Sequence, residues 1–101
     1  MHYSSKEVRQ KLEKIEGWKM YRSKSIQRKF HLKDFDAAMS FINKIADIAR
    51  KLNHHPDILA QNFSEVTIRT ITHSEGGVTN KDLELAKAVN DEFDKTYFKG
   101  K

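Results

Sequence analysis

The chain has no cysteine, one proline, one tryptophan and four glycines. Without cysteine there is no disulfide, no thiolate nucleophile and no cysteine-ligated zinc or iron–sulfur centre, so any chemistry comes from other groups. No run of about 18 apolar residues is present to span a bilayer. The opening Met-His-Tyr-Ser-Ser-Lys-Glu has no apolar stretch of the kind a secretion signal needs. The expected setting is soluble and cytoplasmic, with no membrane partner. Lys plus Arg exceed Asp plus Glu by 19 to 14, a surplus of +5, but they run from Lys6 to Lys101 without a dense cluster. That pattern reads as a solvated face rather than a nucleic-acid footprint. Glu75-Gly76-Gly77-Val78-Thr79 lacks the lysine of a phosphate loop, and no serine sits in a nucleophile elbow. Internal repeats, linkers and low-complexity tracts are missing too.

What is present suits one compact unit. A length of 101 residues with 38% hydrophobic side chains supplies a single core, so one domain over 1–101 is expected. Ser4 followed by Glu7, then Val8, Leu12 and Ile15 at helical spacing with Gly17 as a stop, predicts a short amphipathic helix. From Trp18 to Leu32 the pattern alternates imperfectly through Met20, Ile26 and Phe30, with Arg22-Ser23-Lys24 as a turn, and predicts a hairpin. Asp34 opens the clearest helix, where Phe35, Ala38, Met39, Ile42, Ile45, Ala46, Ala49 and Leu52 recur at spacings of three and four. Pro56 cannot continue it, which ends the element close to Asn53.

Beyond the proline, Asp57–Gln61 is a short strand candidate and Phe63 to His73 a longer one, rich in Val, Ile and Thr. Along the longer one Val66, Ile68, Thr70 and Thr72 share a face. Glu75-Gly76-Gly77 breaks it. Thr79 with Asp82 then forms a capping signature, and Leu83, Leu85, Ala86, Val89, Phe93 and Tyr97 outline a last helix. The order α-β-β-α-β-β-α predicts an α+β fold, a four-stranded antiparallel sheet with three helices on one face. Its open edges make pairing between subunits a reasonable expectation.

The chemistry concentrates in Asn53-His54-His55-Pro56 and His73. A helix C-terminus carries partial negative charge from unsatisfied carbonyls, which favours the imidazolium form of a histidine placed there. His73 ends the long strand beside the Gly76-Gly77 turn, where it can lean over the same end of the sheet. Three imidazoles can thus converge, although helix and strand ends carry polar residues for no chemical reason as well. Adjacent histidines in an extended chain point opposite ways and helical HEXXH spacing is missing, which argues against a metal. What remains is general acid–base catalysis by histidine without a cofactor.

The ordered set His54-His55-Pro56, an aromatic at Phe63, then His73, Gly76-Gly77 and Asp82, resembles the signature of the pterin-4a-carbinolamine dehydratases. Gly17-Trp18, the run Phe30-His31-Leu32-Lys33-Asp34-Phe35 and the pair Thr72-His73 are similar to that family too, so the resemblance covers nearly the whole chain. It implies dehydration of 4a-hydroxytetrahydrobiopterin to quinonoid dihydropterin in tetrahydrobiopterin recycling, linked to an aromatic amino acid hydroxylase. It also implies no metal, no cofactor and a homodimer or homotetramer. Carried over, it makes His54 and His73 the acid–base residues and His55 a catalytic-site residue that chiefly orients the ring. Trp18, His55, Pro56, Thr72 and Asp82 surround the substrate, Pro56 by fixing where the helix stops.

Each of these residues also has a plainer reading. A lone Trp in a hairpin is usually core, Thr72 is first a strand former, and Asp82 completes a capping box. The family also implies rival functions, namely a dimerisation cofactor of a homeodomain transcription factor and a molybdopterin-related role. One departure stands out. The position four before His54 is usually acidic in animal members of the family the chain resembles and is Arg50 here, so a shifted pH profile is expected.

Overall fold

The computed structural model describes residues 1–97. Helix α1 spans Ser5–Leu12, strands β1 and β2 span Lys19–Tyr21 and Ser25–His31, and helix α2 spans Phe35–Leu52. Strands β3 and β4 follow at Asp57–Gln61 and Glu65–Thr70, and helix α3 occupies Asn80–Glu92. The strands form one antiparallel sheet in the order β1-β2-β4-β3. This is the expected α+β arrangement.

Local chemistry accounts for the element ends. Ser4 and Glu7 close a reciprocal capping box at α1, and Thr79 and Asp82 close another at α3, so in each case two otherwise orphaned N–H groups are satisfied. Asp34 caps α2 by accepting the Ala37 N–H at 2.8 Å. Both hairpins turn without glycine, through the left-handed pairs Arg22-Ser23 and Asn62-Phe63. Positive φ at consecutive turn positions matches the twist of the strands they join.

The core lies on one side of the sheet. Ile26 and Phe30 of β2 and Val66 and Ile68 of β4 meet Val8 and Leu12 of α1, Ala38, Phe41 and Ile45 of α2, and Leu85 and Val89 of α3. Phe30, Phe41 and Phe93 form its centre, with ring centroids 4.9–5.6 Å apart. Each such pair contributes about 0.5–1.5 kcal/mol beyond its buried area. The opposite residues of the same strands, such as Lys29 and His31, are exposed, so all three helices cover a single face.

The long strand is shorter than its composition suggests. Phe63 sits in the β3–β4 turn with φ of 54° and is 70% exposed. At the other end β4 stops at Thr70, Thr72 makes an isolated bridge to Gly77, and His73–Glu75 form a 3-10 turn. Gly76, at φ 73°, lets the chain reverse there. After α3 the chain widens into a π-helical turn at Phe93–Tyr97.

Candidate active site

The NHHP segment leaves α2 through a specific cap. Asn53 takes φ 52° and ψ 45°, its N–H bonds the Arg50 carbonyl at 3.2 Å, and the His54 N–H reaches the Ala49 carbonyl at 3.0 Å. These are the pairings of a Schellman motif, with asparagine in the left-handed position. The motif changes the expected electrostatics. The Ala49 and Arg50 carbonyls are bound by backbone donors, and the group that meets His54 is a side chain from α3.

That side chain is Asp82, with no exposed surface. Its Oδ1 lies 2.6 Å from His54 Nε2 and accepts the Thr70 hydroxyl, also at 2.6 Å. Its Oδ2 accepts the Thr72 hydroxyl at 2.8 Å and the Thr79 N–H at 2.9 Å. A carboxylate offers about four lone-pair directions, and all four are used. Burial of so polar a group is tolerated in such a setting because each of its oxygens is met by polar partners. The capping and site readings of Asp82 are therefore compatible: one oxygen serves the helix start and the other receives the imidazole.

The sheet and helix supply this network by their periodicity. Thr70 and Thr72 are two residues apart on the face that also carries Val66 and Ile68, and both are buried, at 1% and 5% exposure. Asp82 lies in the first turn of α3, which directs it back toward Thr79 and the end of β4. Thr70 is a participant whose face the strand periodicity predicts but whose role it does not. Its signal was a hydroxyl among the apolar residues of an inward face.

Other expected residues fall beside this network or apart from it. His55 and Pro56 continue directly from His54, and His73 directly from Thr72, so both segments run out of the same carboxylate cluster. The rings of His55 and His73 make no hydrogen bond or ion pair among the described residues and belong to exposed positions. Trp18 is placed elsewhere. It is 4% exposed, donates its indole N–H to Asn90 Oδ1 at 2.8 Å and meets Phe30 edge-on at 6.4 Å. Asn90 also accepts from Arg28 and donates to the Glu16 carbonyl, so Trp18 belongs to a lock between α3, β2 and the turn before β1. A large ring with one N–H donor is accommodated there as core.

Among the described residues no three His, Asp or Glu side chains are gathered as metal donors, and His54 Nε2 already faces Asp82. No helix among them is long and apolar enough to cross a membrane.

The sequence and the fold recur in known proteins. A family model described as pterin 4 alpha carbinolamine dehydratase matches residues 1–92. A Sulfolobus acidocaldarius protein, provisionally named a pterin-4-alpha-carbinolamine dehydratase, is 40% identical over 89% of this chain and 97% of its own. An Aquifex aeolicus protein with the same provisional name is 38% identical over 87% of each chain. A Brucella melitensis crystal structure titled transcriptional coactivator/pterin dehydratase superposes with a TM-score of 0.83 at 33% identity, covering 90% of this chain and 97% of the other. With a family match over nearly every described residue and relatives aligned almost end to end, the chain belongs to the pterin-4-alpha-carbinolamine dehydratase family.

Proposed function

We propose that this protein is a hydro-lyase that dehydrates 4a-hydroxytetrahydropterin to quinonoid dihydropterin, with histidine as acid and base and no cofactor. The relatives' names supply the substrate class. The observation on this chain that carries the reading is the His54–Asp82 pair, a buried carboxylate holding an imidazole that is 11% exposed. A carboxylate behind an imidazole fixes its orientation and tautomer and stabilises the charge it gains on taking a proton.

In the reaction the C4a–O bond breaks, the N5 proton is removed, a C4a=N5 double bond forms and one water leaves. The departing oxygen needs an acid and N5 needs a base, both near neutrality, which suits imidazole. His54 and His73 take these roles from the two chain segments that Asp82 and Thr72 tie together, and His55 binds and orients the ring. Acid–base catalysis of this kind supplies ~10²–10⁴-fold, enough for a reaction that already proceeds slowly unaided. In the cytoplasm such an activity recycles tetrahydrobiopterin beside an aromatic amino acid hydroxylase.

The test is release of quinonoid dihydropterin from 4a-hydroxytetrahydropterin by wild type, His54→Ala and His73→Ala. Wild-type turnover no faster than the uncatalysed rate sinks the reading. The same proposal includes a homodimer or homotetramer, because β3 is an edge strand exposed along its length, with Ile58 and Leu59 at 36% and 48%. Sedimentation showing only monomer at micromolar concentration removes that part. The coactivator role named for the Brucella protein supports a second reading, a non-enzymatic partner of a transcription factor. Binding to such a factor without any turnover favours it.

A further inference from the structure

We infer that Thr70 is a positioning residue that, through Asp82, holds His54 as the Nε2–H tautomer and leaves Nδ1 as the nitrogen that exchanges a proton with substrate. The role assigned to Nδ1 rests on the dehydratase reading above; the tautomer does not.

The argument is a count of protons. Asp82 Oδ2 takes the Thr79 N–H and the Thr72 hydroxyl, at 2.9 and 2.8 Å. Thr72 has one hydroxyl proton and gives it to Asp82, so the 2.7 Å contact between the Thr72 and Thr79 hydroxyls is donated by Thr79. Thr79 Oγ1 in turn accepts the Lys81 N–H at 3.2 Å. Every hydrogen bond in the cluster therefore points toward Asp82. Thr70 donates to Oδ1, the oxygen that faces His54 Nε2, with both contacts at 2.6 Å. With three donors besides His54 seated on its two oxygens, Asp82 is the acceptor on which the cluster converges, and a carboxylate can only accept. His54 Nε2 must then carry a hydrogen.

The other ring nitrogen is free to work. His54 Nδ1 makes no hydrogen bond among the described residues, and none of their buried side-chain nitrogens or oxygens lacks a partner. Nδ1 therefore lies in the part of the ring that reaches the surface. Thr70 matters because Oδ1 has no other side-chain donor beside His54. Without the hydroxyl, the carboxylate can swing about its bond to Cβ, and the imidazole follows it.

The experiment measures the His54 tautomer by long-range nitrogen–proton NMR on histidine-labelled protein, at a pH where the ring is neutral. The same samples are assayed for turnover of 4a-hydroxytetrahydropterin as wild type, Thr70→Val and Thr70→Ser. Expected are an Nε2–H signature in wild type, a mixed or broadened one in Thr70→Val, and a fall in kcat of about 10-fold with KM little changed, the lower end of what partners behind a functional imidazole contribute. Thr70→Ser restores both readouts. An Nδ1–H tautomer in wild type overturns the inference, even if Thr70→Val does not fold. So does a folded Thr70→Ser as impaired as Thr70→Val, which marks Thr70 as packing only. Wild type with the Nε2–H signature but no turnover overturns the dehydratase reading and the role of Nδ1, while the placement of the tautomer stands.

Discussion

Asp82 Oδ1 and His54 Nε2 meet at 2.6 Å across 28 residues of sequence, joining the start of α3 to the exit of α2. The partner set predicts what Asp82→Asn does. The Thr79 N–H is backbone and cannot turn, so the new amide oxygen stays on the Oδ2 side, where Thr72 also donates. The amide nitrogen then faces His54 and Thr70, and its hydrogens push His54 toward the Nδ1–H tautomer. We expect kcat to fall by up to about 10⁴-fold, the loss for a triad histidine held in the wrong tautomer. Stability falls by about 1–3 kcal/mol from imperfectly paired buried groups. Steady-state kinetics with urea denaturation checks both. A loss of stability with kcat intact assigns Asp82 to the cap alone.

The Trp18–Asn90 contact separates a core tryptophan from one that touches substrate. Trp18→Phe removes the indole donor that Asn90 Oδ1 accepts at 2.8 Å and leaves Arg28 as its remaining side-chain donor. We expect a loss of about 1–3 kcal/mol from the hydrogen bond and the smaller ring together, with KM for pterin within twofold of wild type. A KM raised tenfold in a variant of near-normal stability returns Trp18 to the edge of the site.

Much of this was legible in one chain because the governing interactions are local. Ser4 with Glu7, Thr79 with Asp82, the helix from Phe35 to Leu52 and the Pro56 stop each act within a few residues, and each appears as expected, although Phe35 and Leu52 at the ends of the apolar stripe are exposed. The β-branched residues from Phe63 to His73 favour extension over a longer span than the strand occupies, because Asn62, Phe63 and Gly76 adopt left-handed turns set by the hairpin and the return to Gly77. Which partner meets His54 was not legible. It depends on α3 crossing the end of β4, and periodicity places Thr70, Thr72 and Asp82 on faces without stating which faces touch. Trp18 shows the same limit: only the fold reveals that Asn90, 72 residues away, receives its N–H.

The α1 capping box gives a pH prediction with a definite sign. The Ser4 N–H donates to Glu7 Oε1 at 2.8 Å, and this bond, with help from the Ser4 hydroxyl, holds the Glu7 carboxyl below its ordinary range. A carboxylate with a depressed folded value stabilises the protein above the unfolded value and loses that contribution as pH falls through the folded one. Glu7→Gln keeps an oxygen for the Ser4 N–H but removes the charge. The Tm difference from wild type should thus be full near pH 7 and close below about pH 4.3, the usual glutamate value. Melting curves from pH 3 to 7 check it, and a gap that widens in acid reverses the assignment.

Arg50 is the residue where this chain departs from the acidic pattern, and the structure narrows what that departure does. Its guanidinium pairs with Asp47 at 2.7 Å, and both side chains are more than 60% exposed. A paired, solvated charge acts weakly at a distance, and at 0.15 M salt fields decay over about 8 Å. Arg50→Glu should therefore leave the pH profile of kcat/KM superimposable on wild type at physiological salt, rather than shifted as the sequence alone suggested. Near 0.01 M, where the screening length is about 30 Å, the two profiles should separate, with the histidine limb of the variant at higher pH because a carboxylate favours the imidazolium. Separation that persists at 0.15 M means that Arg50 reaches the site at short range, and the Asp47 pairing does not describe its working state.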